Sequence, residues 1–272
     1  MKKRRNRIAL IATIILFPAL ILMPPTLLAE SEVSTVAFKE RPLAGFQITK
    51  AMVEKITRQG DYLYDTRDMA DHAERAIIFY KKIIEIDPGN HEVHWRLSRS
   101  YKWRGDRAAS PKEKLAAYKA AVDCAKKAIA LDPEGINGHL MLGMSYGLIG
   151  QTQGLWASLG VVSPIKKEMR IVLVKDPQNE IAHLILGILY RKLPTLFGGS
   201  LQKSIKALNQ AVRANPHRTT PYLELARSYL EKGEREAARR SLERLLAIAR
   251  PTDRVQSNKD RIAAGMLLAS LS

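Results

Sequence analysis

Four prolines set the frame of this chain. Pro88, Pro133, Pro177 and Pro216 stand 45, 44 and 39 residues apart, and each closes a segment of the same kind: Ile86-Asp87-Pro88, Leu131-Asp132-Pro133, Lys175-Asp176-Pro177 and Ala214-Asn215-Pro216. Nine residues beyond each proline lies an apolar residue (Leu97, Leu142, Leu186, Leu225). The next is small (Ser98, Gly143, Gly187, Ala226), and three further on stands a tyrosine (Tyr101, Tyr146, Tyr190, Tyr229). A period of this length marks an array of like units, none of which can bury its apolar face alone. A helix cannot continue through these prolines, because the ring removes an amide donor and clashes with the preceding turn. Each proline therefore ends the second helix of a hairpin. The small residue lets the partner helix approach, and the tyrosine fills the seam. Ala121, Ala125 and Ala128 in one second helix, and Ala238, Leu242 and Leu245 in the last, keep the same phase.

This is the tetratricopeptide (TPR) pattern. It predicts an all-α protein, a right-handed α-solenoid of TPR-like helical hairpins over residues 46–272, with long insertions between the helices of the earlier hairpins. The last hairpin, Thr219–Ile248, fits a 34-residue period with Gly233-Glu234 as its turn, and an imperfect hairpin, about Phe46–Ile86, precedes the others. A final helix, about Asn258–Leu271, is expected to cap the stack, since a terminal hairpin needs its outer face covered. Ser110-Pro111-Lys112-Glu113 reads as a capping box with proline at the first helical position. Pro194 stops a helix, Gly198-Gly199 turns, and Ser200 caps the next.

The N-terminus reads differently. Lys2, Lys3, Arg4, Arg5 and Arg7 precede an uncharged apolar run, Ile8–Ala29, broken by Pro18, Pro24 and Pro25. A basic start, an apolar stretch and a small closing residue predict a secretory signal over residues 1–29, cleaved after Ala29; an uncleaved anchor is the alternative. A linker, residues 30–45, follows. The formal net charge is +17, and loss of the five basic residues of that segment leaves +12. The cations are interspersed with acids along helices, so a solvated basic surface drawn to anionic membrane or envelope polymer is expected, and no nucleic acid. A single cysteine, Cys124, excludes an internal disulfide and a cysteine zinc site. No cysteine follows the signal, so the chain does not read as a lipoprotein.

Catalytic and metal patterns weaken on inspection. Gly143-Met144-Ser145-Tyr146-Gly147 matches G-x-S-x-G, but that elbow needs a strand before the serine. Here both glycines and the tyrosine fall on the repeat phase of one helix. His94, His139 and His183 recur six residues after each proline, with Tyr222 in the last repeat. Equivalent positions on neighbouring helices lie about 10 Å apart, whereas zinc ligands converge at about 2 Å from the ion, so seam packing is the expectation. Gly150-Gln151-Thr152-Gln153-Gly154 lacks the ending of a phosphate loop. No enzyme, no cofactor and no metal is expected.

The inner face of the solenoid is the expected binding site. Residues one, five and nine beyond the histidine column share a helix face. They read Trp95, Arg99, Trp103; Leu140, Met144, Leu148; Leu184, Ile188, Lys192; and Leu223, Arg227, Glu231. A groove apolar in its middle and basic at its edges suits a hydrophobic or amphipathic ligand, with Arg99 and Arg227 meeting a carboxylate. The segment 155–162, with Trp156, either contributes to this groove or fills it. A peptide segment in the same groove is the second reading.

Three stretches carry a family resemblance: Gly60-Asp61-x-Leu63-Tyr64 before Ala76-Ile77-x-Phe79-Tyr80; Trp95-Arg96-Leu97-Ser98-Arg99-Ser100-Tyr101; and Leu142-Gly143-x-Ser145-Tyr146-Gly147 through to Ser163-Pro164-Ile165-Lys166. Leu193-Pro194-x-Leu196-Phe197-Gly198-Gly199 before Lys206-Ala207-Leu208 adds to them. Over about Ile48–Ile248 the chain resembles the TatT family, the exported tetratricopeptide component associated with some TRAP transporters. The resemblance implies a periplasmic partner of a TRAP-type solute-binding protein, a cavity for an apolar ligand, and a homo-oligomer. Lipid tethering is not implied, because the cysteine of the lipoprotein members is missing.

Overall fold

The computed structural model describes residues 50–271, and of residues 155–158 the backbone alone. The expected signal over 1–29, the linker 30–45 and Phe46 lie outside the described residues. The chain falls into two compact units, residues 1–55 and 56–272. Of the first, the described part is Lys50–Lys55, helical throughout.

Among the described residues the secondary structure is helical, with no strand. The order is α1 (Lys50–Asp65), α2 (His72–Ile86), α3 (His91–Arg107), α4 (Pro111–Leu131), α5 (Ile136–Gln153), α6 (Leu155–Lys175), α7 (Glu180–Lys192), a 3-10 turn (Thr195–Phe197), α8 (Leu201–Ala214), α9 (Thr220–Lys232), α10 (Arg235–Ala247) and α11 (Arg254–Ala269). Helices pair as α3–α4, α5–α6, α7–α8 and α9–α10, and α1 meets α2 where Gly60 faces Tyr80. The first helices of successive hairpins also touch: α3 meets α5, α5 meets α7, α7 meets α9, and α9 meets α11. They therefore line the inner face, and the second helices lie outside.

Helix boundaries follow local chemistry. Ser110 accepts from the Glu113 amide while Glu113 reaches back to the Ser110 amide, so the capping box forms. Ser200 caps α8 through the Lys203 amide. At the far ends, Asp87, Asp132, Asp176 and Asn215 each leave the helical conformation, their amides still bonded to the carbonyl four residues back; the proline then prevents another turn. The extra residues of the second and third hairpins lengthen their helices. α4 and α6 each have 21 residues against 13 in α10, and Gly154 alone joins α5 to α6. Gly154 sits at φ 95°, where a side chain would be strained. The segment expected to enter or plug the groove, 155–162, is the first part of α6.

The core is distributed. Val122, Ala125 and Leu142 join α4 to α5; Leu140, Ile165, Met169, Val172 and Ala182 join α5, α6 and α7; Leu184, Leu208, Ala211 and Leu225 join α7, α8 and α9. The last cluster joins α9, α10 and α11 through Tyr222, Leu223, Leu242, Leu245 and Ala264. Each cluster needs the next hairpin to be complete. A buried leucine such as Leu208 contributes roughly 1.5–3 kcal/mol on removal from water. The repeat glycines sit where the pattern expects: a Cβ on Gly187 would stand 2.5 Å from Leu208 Cγ, and one on Gly143 2.6 Å from Met169 Cε.

The final helix begins at Arg254, four residues earlier than expected, because Asp253 caps it through the Gln256 amide. It does more than cover α9 and α10. Both Asp253 carboxylate oxygens accept from Arg67 Nη2, at 2.7 and 2.5 Å, and Arg254 makes a two-pronged pair with Asp68 at 2.8 and 2.9 Å. Arg67 and Asp68 belong to the turn between α1 and α2, so the last helix of this unit is tied to its first hairpin.

Candidate functional site

The inner face is built by the first helices, and its two ends are polar networks. At the α1–α3 end, Asp61 accepts from the Tyr80 hydroxyl at 2.7 Å, from Arg96 Nε at 3.0 Å and from Arg99 Nη2 at 3.3 Å. Arg99 Cζ lies over Tyr64, 3.8 Å from the ring centre, with the Trp95 ring at 5.2 Å. At the α7–α9 end, Arg191 bridges Glu224 at 2.5 Å and Glu231 at 2.6 Å, and Glu224 also takes Arg227 at 2.5 Å. The two arginines expected to meet a ligand carboxylate thus already hold carboxylates of the protein. Between the ends lie Met144, Leu148 and Ile188, all half-buried.

The remaining expected groove residues are placed deeper. Leu140, Leu184 and Leu223 are buried in the hairpin clusters and do not form an open apolar floor. The close approach of neighbouring first helices covers that row. Trp95 is half-buried, its Nε1 donating to Glu92 at 3.0 Å. The side chain of Trp156 lies outside the described residues.

Trp103 is the residue whose setting most exceeds expectation. It is 2% exposed. Arg67 lies 4.8 Å, Arg107 5.7 Å and Lys259 3.9 Å from its ring. Nearby, half-buried Lys102 pairs with Asp106 at 2.7 Å; burial opposes its charge, but Asp106 and Tyr64 together prevail and raise its pKa. Lys259 is shifted down, by burial and by the neighbouring charges of Lys102, Arg107 and Arg67, against the pull of Asp106. The aromatic face offsets part of this crowding of like charge. A cleft of about 590 Å³ opens beside it, lined by Arg67, Tyr101, Trp103, Arg104, Arg107 and a floor of small residues including Ala73, Ala117 and Ala120.

The histidine column has a definite role. Nε2 of His94, His139 and His183 faces the carbonyl of Pro88, Pro133 and Pro177 at 3.2, 3.0 and 2.9 Å, and the Tyr222 hydroxyl donates to Pro216 O at 3.2 Å. Each repeat thus ties its first helix back to the preceding proline turn. His139 also meets buried Glu168 through Nδ1 at 2.5 Å. Among the described residues no group of three or more metal-ligating side chains converges. Ser145 lies in mid-helix in α5, 1% exposed, its hydroxyl without a partner. That setting lacks the strand-to-helix turn of a nucleophile elbow.

The Arg67–Asp253, Arg254–Asp68 and Arg191–Glu224 pairs had no signal in sequence, since charged residues 33 to 186 positions apart carry no mutual pattern.

Comparison with known proteins adds three findings. The family described as RMD1-3, Regulator of microtubule dynamics protein 1-3, matches residues 56–267. No curated protein matches the sequence. Among solved structures, TTC0263, a thermophilic TPR protein of Thermus thermophilus, is similar with a TM-score of 0.61 at 19% identity, over 79% of this chain and 99% of that one. PilW, a type IV pilus biogenesis factor, is similar with a TM-score of 0.52 at 17% identity, over 82% of this chain and 93% of that one. At these identities the likeness shows the fold, an α-solenoid of TPR-like hairpins.

Proposed function

This chain belongs to the family of regulator of microtubule dynamics proteins 1-3, and from that premise and its TPR-like solenoid we propose that it is a non-enzymatic interaction scaffold, which binds a segment of a partner protein along the inner face of its first helices. The observation that carries this reading is the half-buried apolar strip Met144, Leu148 and Ile188, set between the Asp61–Arg99 and Arg191–Glu224 networks. Such a strip offers apolar contact, and the flanking ion pairs fix register without presenting an unpaired charge.

Photo-crosslinkable side chains at Met144 and Ile188, with Val174 as an exposed control, test it. Adducts with one discrete polypeptide from the two inner positions only are expected. Equal labelling at Val174, or none anywhere, sinks the reading.

A narrower form follows from the resemblance to TatT. There the partner is a TRAP-type periplasmic solute-binding protein, the chain works in the periplasm, and the strip also accepts a hydrophobic small molecule. The ordered insertions, Leu193 to Gly199 above all, support it, as does the export signal expected over 1–29. Co-purification with such a solute-binding protein from envelope fractions tests this form. The family's description names microtubule dynamics; the expected export signal favours an envelope partner over a cytoskeletal one.

A further inference from the structure

The turn between α7 and α8 carries the most exposed of the large apolar side chains among the described residues. Leu196 is 88% exposed and Phe197 40%. The turn is rigidly built: Phe197 and Gly199 donate to Pro194 O at 2.9 and 3.0 Å, Gly198 donates to Thr195 O at 3.0 Å, and Ser200 donates to Tyr190 O at 2.8 Å. A side chain on Gly199 would collide with Leu193 O at 1.8 Å. The chain is thus held so that Leu196 projects.

Beside it lies an open cleft of about 530 Å³, lined by Leu159, Val162, Ile171 and Phe197 and rimmed by Lys166, Lys167 and Arg170. Lys203 joins them: its Nζ and that of Lys166 lie 5.9 and 5.7 Å from the same Tyr190 ring. None of these four cations has an ion pair among the described residues. The acid on this stretch of α6, Glu168, is buried against His139. No Asp or Glu occurs from Ile181 to Leu223.

We infer that Leu196, Phe197 and the cationic rim of α6 and α8 form a docking site for the surface of an anionic lipid bilayer. Leu196 and Phe197 enter the boundary of the acyl region, while Lys166, Lys167, Arg170 and Lys203 meet headgroup phosphates. Apolar residues flanked by unpaired lysine are the chemistry that holds proteins in the plane of an anionic interface. A projecting leucine, unlike a recessed one, favours a deformable bilayer over an acidic peptide. The site is separate from the inner face, so it stands or falls independently of the scaffold reading.

The test uses the full chain with Cys124 replaced by alanine and a polarity-sensitive fluorophore on Leu196→Cys, or on Val174→Cys as control. Vesicles of phosphatidylglycerol and phosphatidylcholine are compared with phosphatidylcholine alone. A blue shift at position 196 with the anionic vesicles only, none at 174, and at least tenfold weaker partitioning in Lys166→Glu/Lys167→Glu/Arg170→Glu are expected. The comparison is within one chain, so membrane binding through residues 1–29 does not imitate the result. No shift at 196, an equal shift at 174 or with neutral vesicles, or competition by polyglutamate that abolishes the shift at constant ionic strength overturns the proposal, the last in favour of an acidic polypeptide.

Discussion

Lys259 of the last helix stands 3.9 Å above the ring of Trp103 in the second hairpin. The contact belongs to a set, with Arg67–Asp253 and Arg254–Asp68, that joins the end of this unit to its beginning.

Asp253→Asn tests that junction. Asparagine still caps α11, so the loss is that of the ion pair. Arg67 is 4% exposed and would keep a buried charge without its carboxylate partner. A cost on the order of 3 kcal/mol is expected, read as a lowered Tm with faster proteolysis within 249–253. A Tm equal to that of the parent protein would show the junction to be unimportant.

Two groups give the junction and the repeat a pH dependence. Burial raises the Asp253 pKa, but the Arg67 hydrogen bond, the Gln256 amide and the charges of Arg67 and Arg218 prevail and hold it below its ordinary 3.8. Its stabilisation is therefore full above that value and disappears as pH falls through the lower, folded one. His94 is shifted below 6.5 by burial first and by Lys127, against the bond to Pro88. The unfolded chain takes up that proton first, so stability declines as pH falls through 6.5. Denaturant titrations of His94→Gln should show a shallower decline between pH 7 and 5; an unchanged slope contradicts the assignment.

The glycines should differ in their tolerance of alanine. At Gly187 the new methyl meets the branched centre of Leu208, which is fully buried; at Gly143 it meets only the terminal methyl of Met169. Gly187→Ala should cost about 1–3 kcal/mol through overpacking. Gly143→Ala should cost less, since methionine re-packs and alanine gains about 1 kcal/mol of helix propensity. Equal thermal shifts would contradict this ordering.

Cys124 should be a slow thiol. Burial first, then the charge of Asp123, against Lys81, push its pKa up to about 12. Thiolate is therefore scarce at pH 8, and Ellman's reagent should react far more slowly with the folded chain than with the unfolded one. Comparable rates would show the site to be open.

The repeat made most of this fold legible. Proline, small residue and tyrosine specify where helices stop, touch and pack, and those are local or next-neighbour relations. Gly187 under Leu208 and Ser110 with Glu113 follow from them. The groove was legible only in part. Leu140, Leu184 and Leu223 have the right phase to face inward, yet their burial depends on how closely successive first helices approach, which no single-helix periodicity encodes. The bond from His94 to Pro88 went unread because an aromatic at that position packs equally well without a polar partner.

A helical stack with two free ends can lose its outermost repeat while the interior persists, and its denaturation spreads over many partly ordered states. The joining of α11 to the first hairpin leaves this unit with neither end free. Opening any one hairpin must then strain or break Arg67–Asp253 and Arg254–Asp68 as well. The array gains a cooperativity foreign to linear repeats: it should melt as one body, and severing that single junction should restore fraying from both ends.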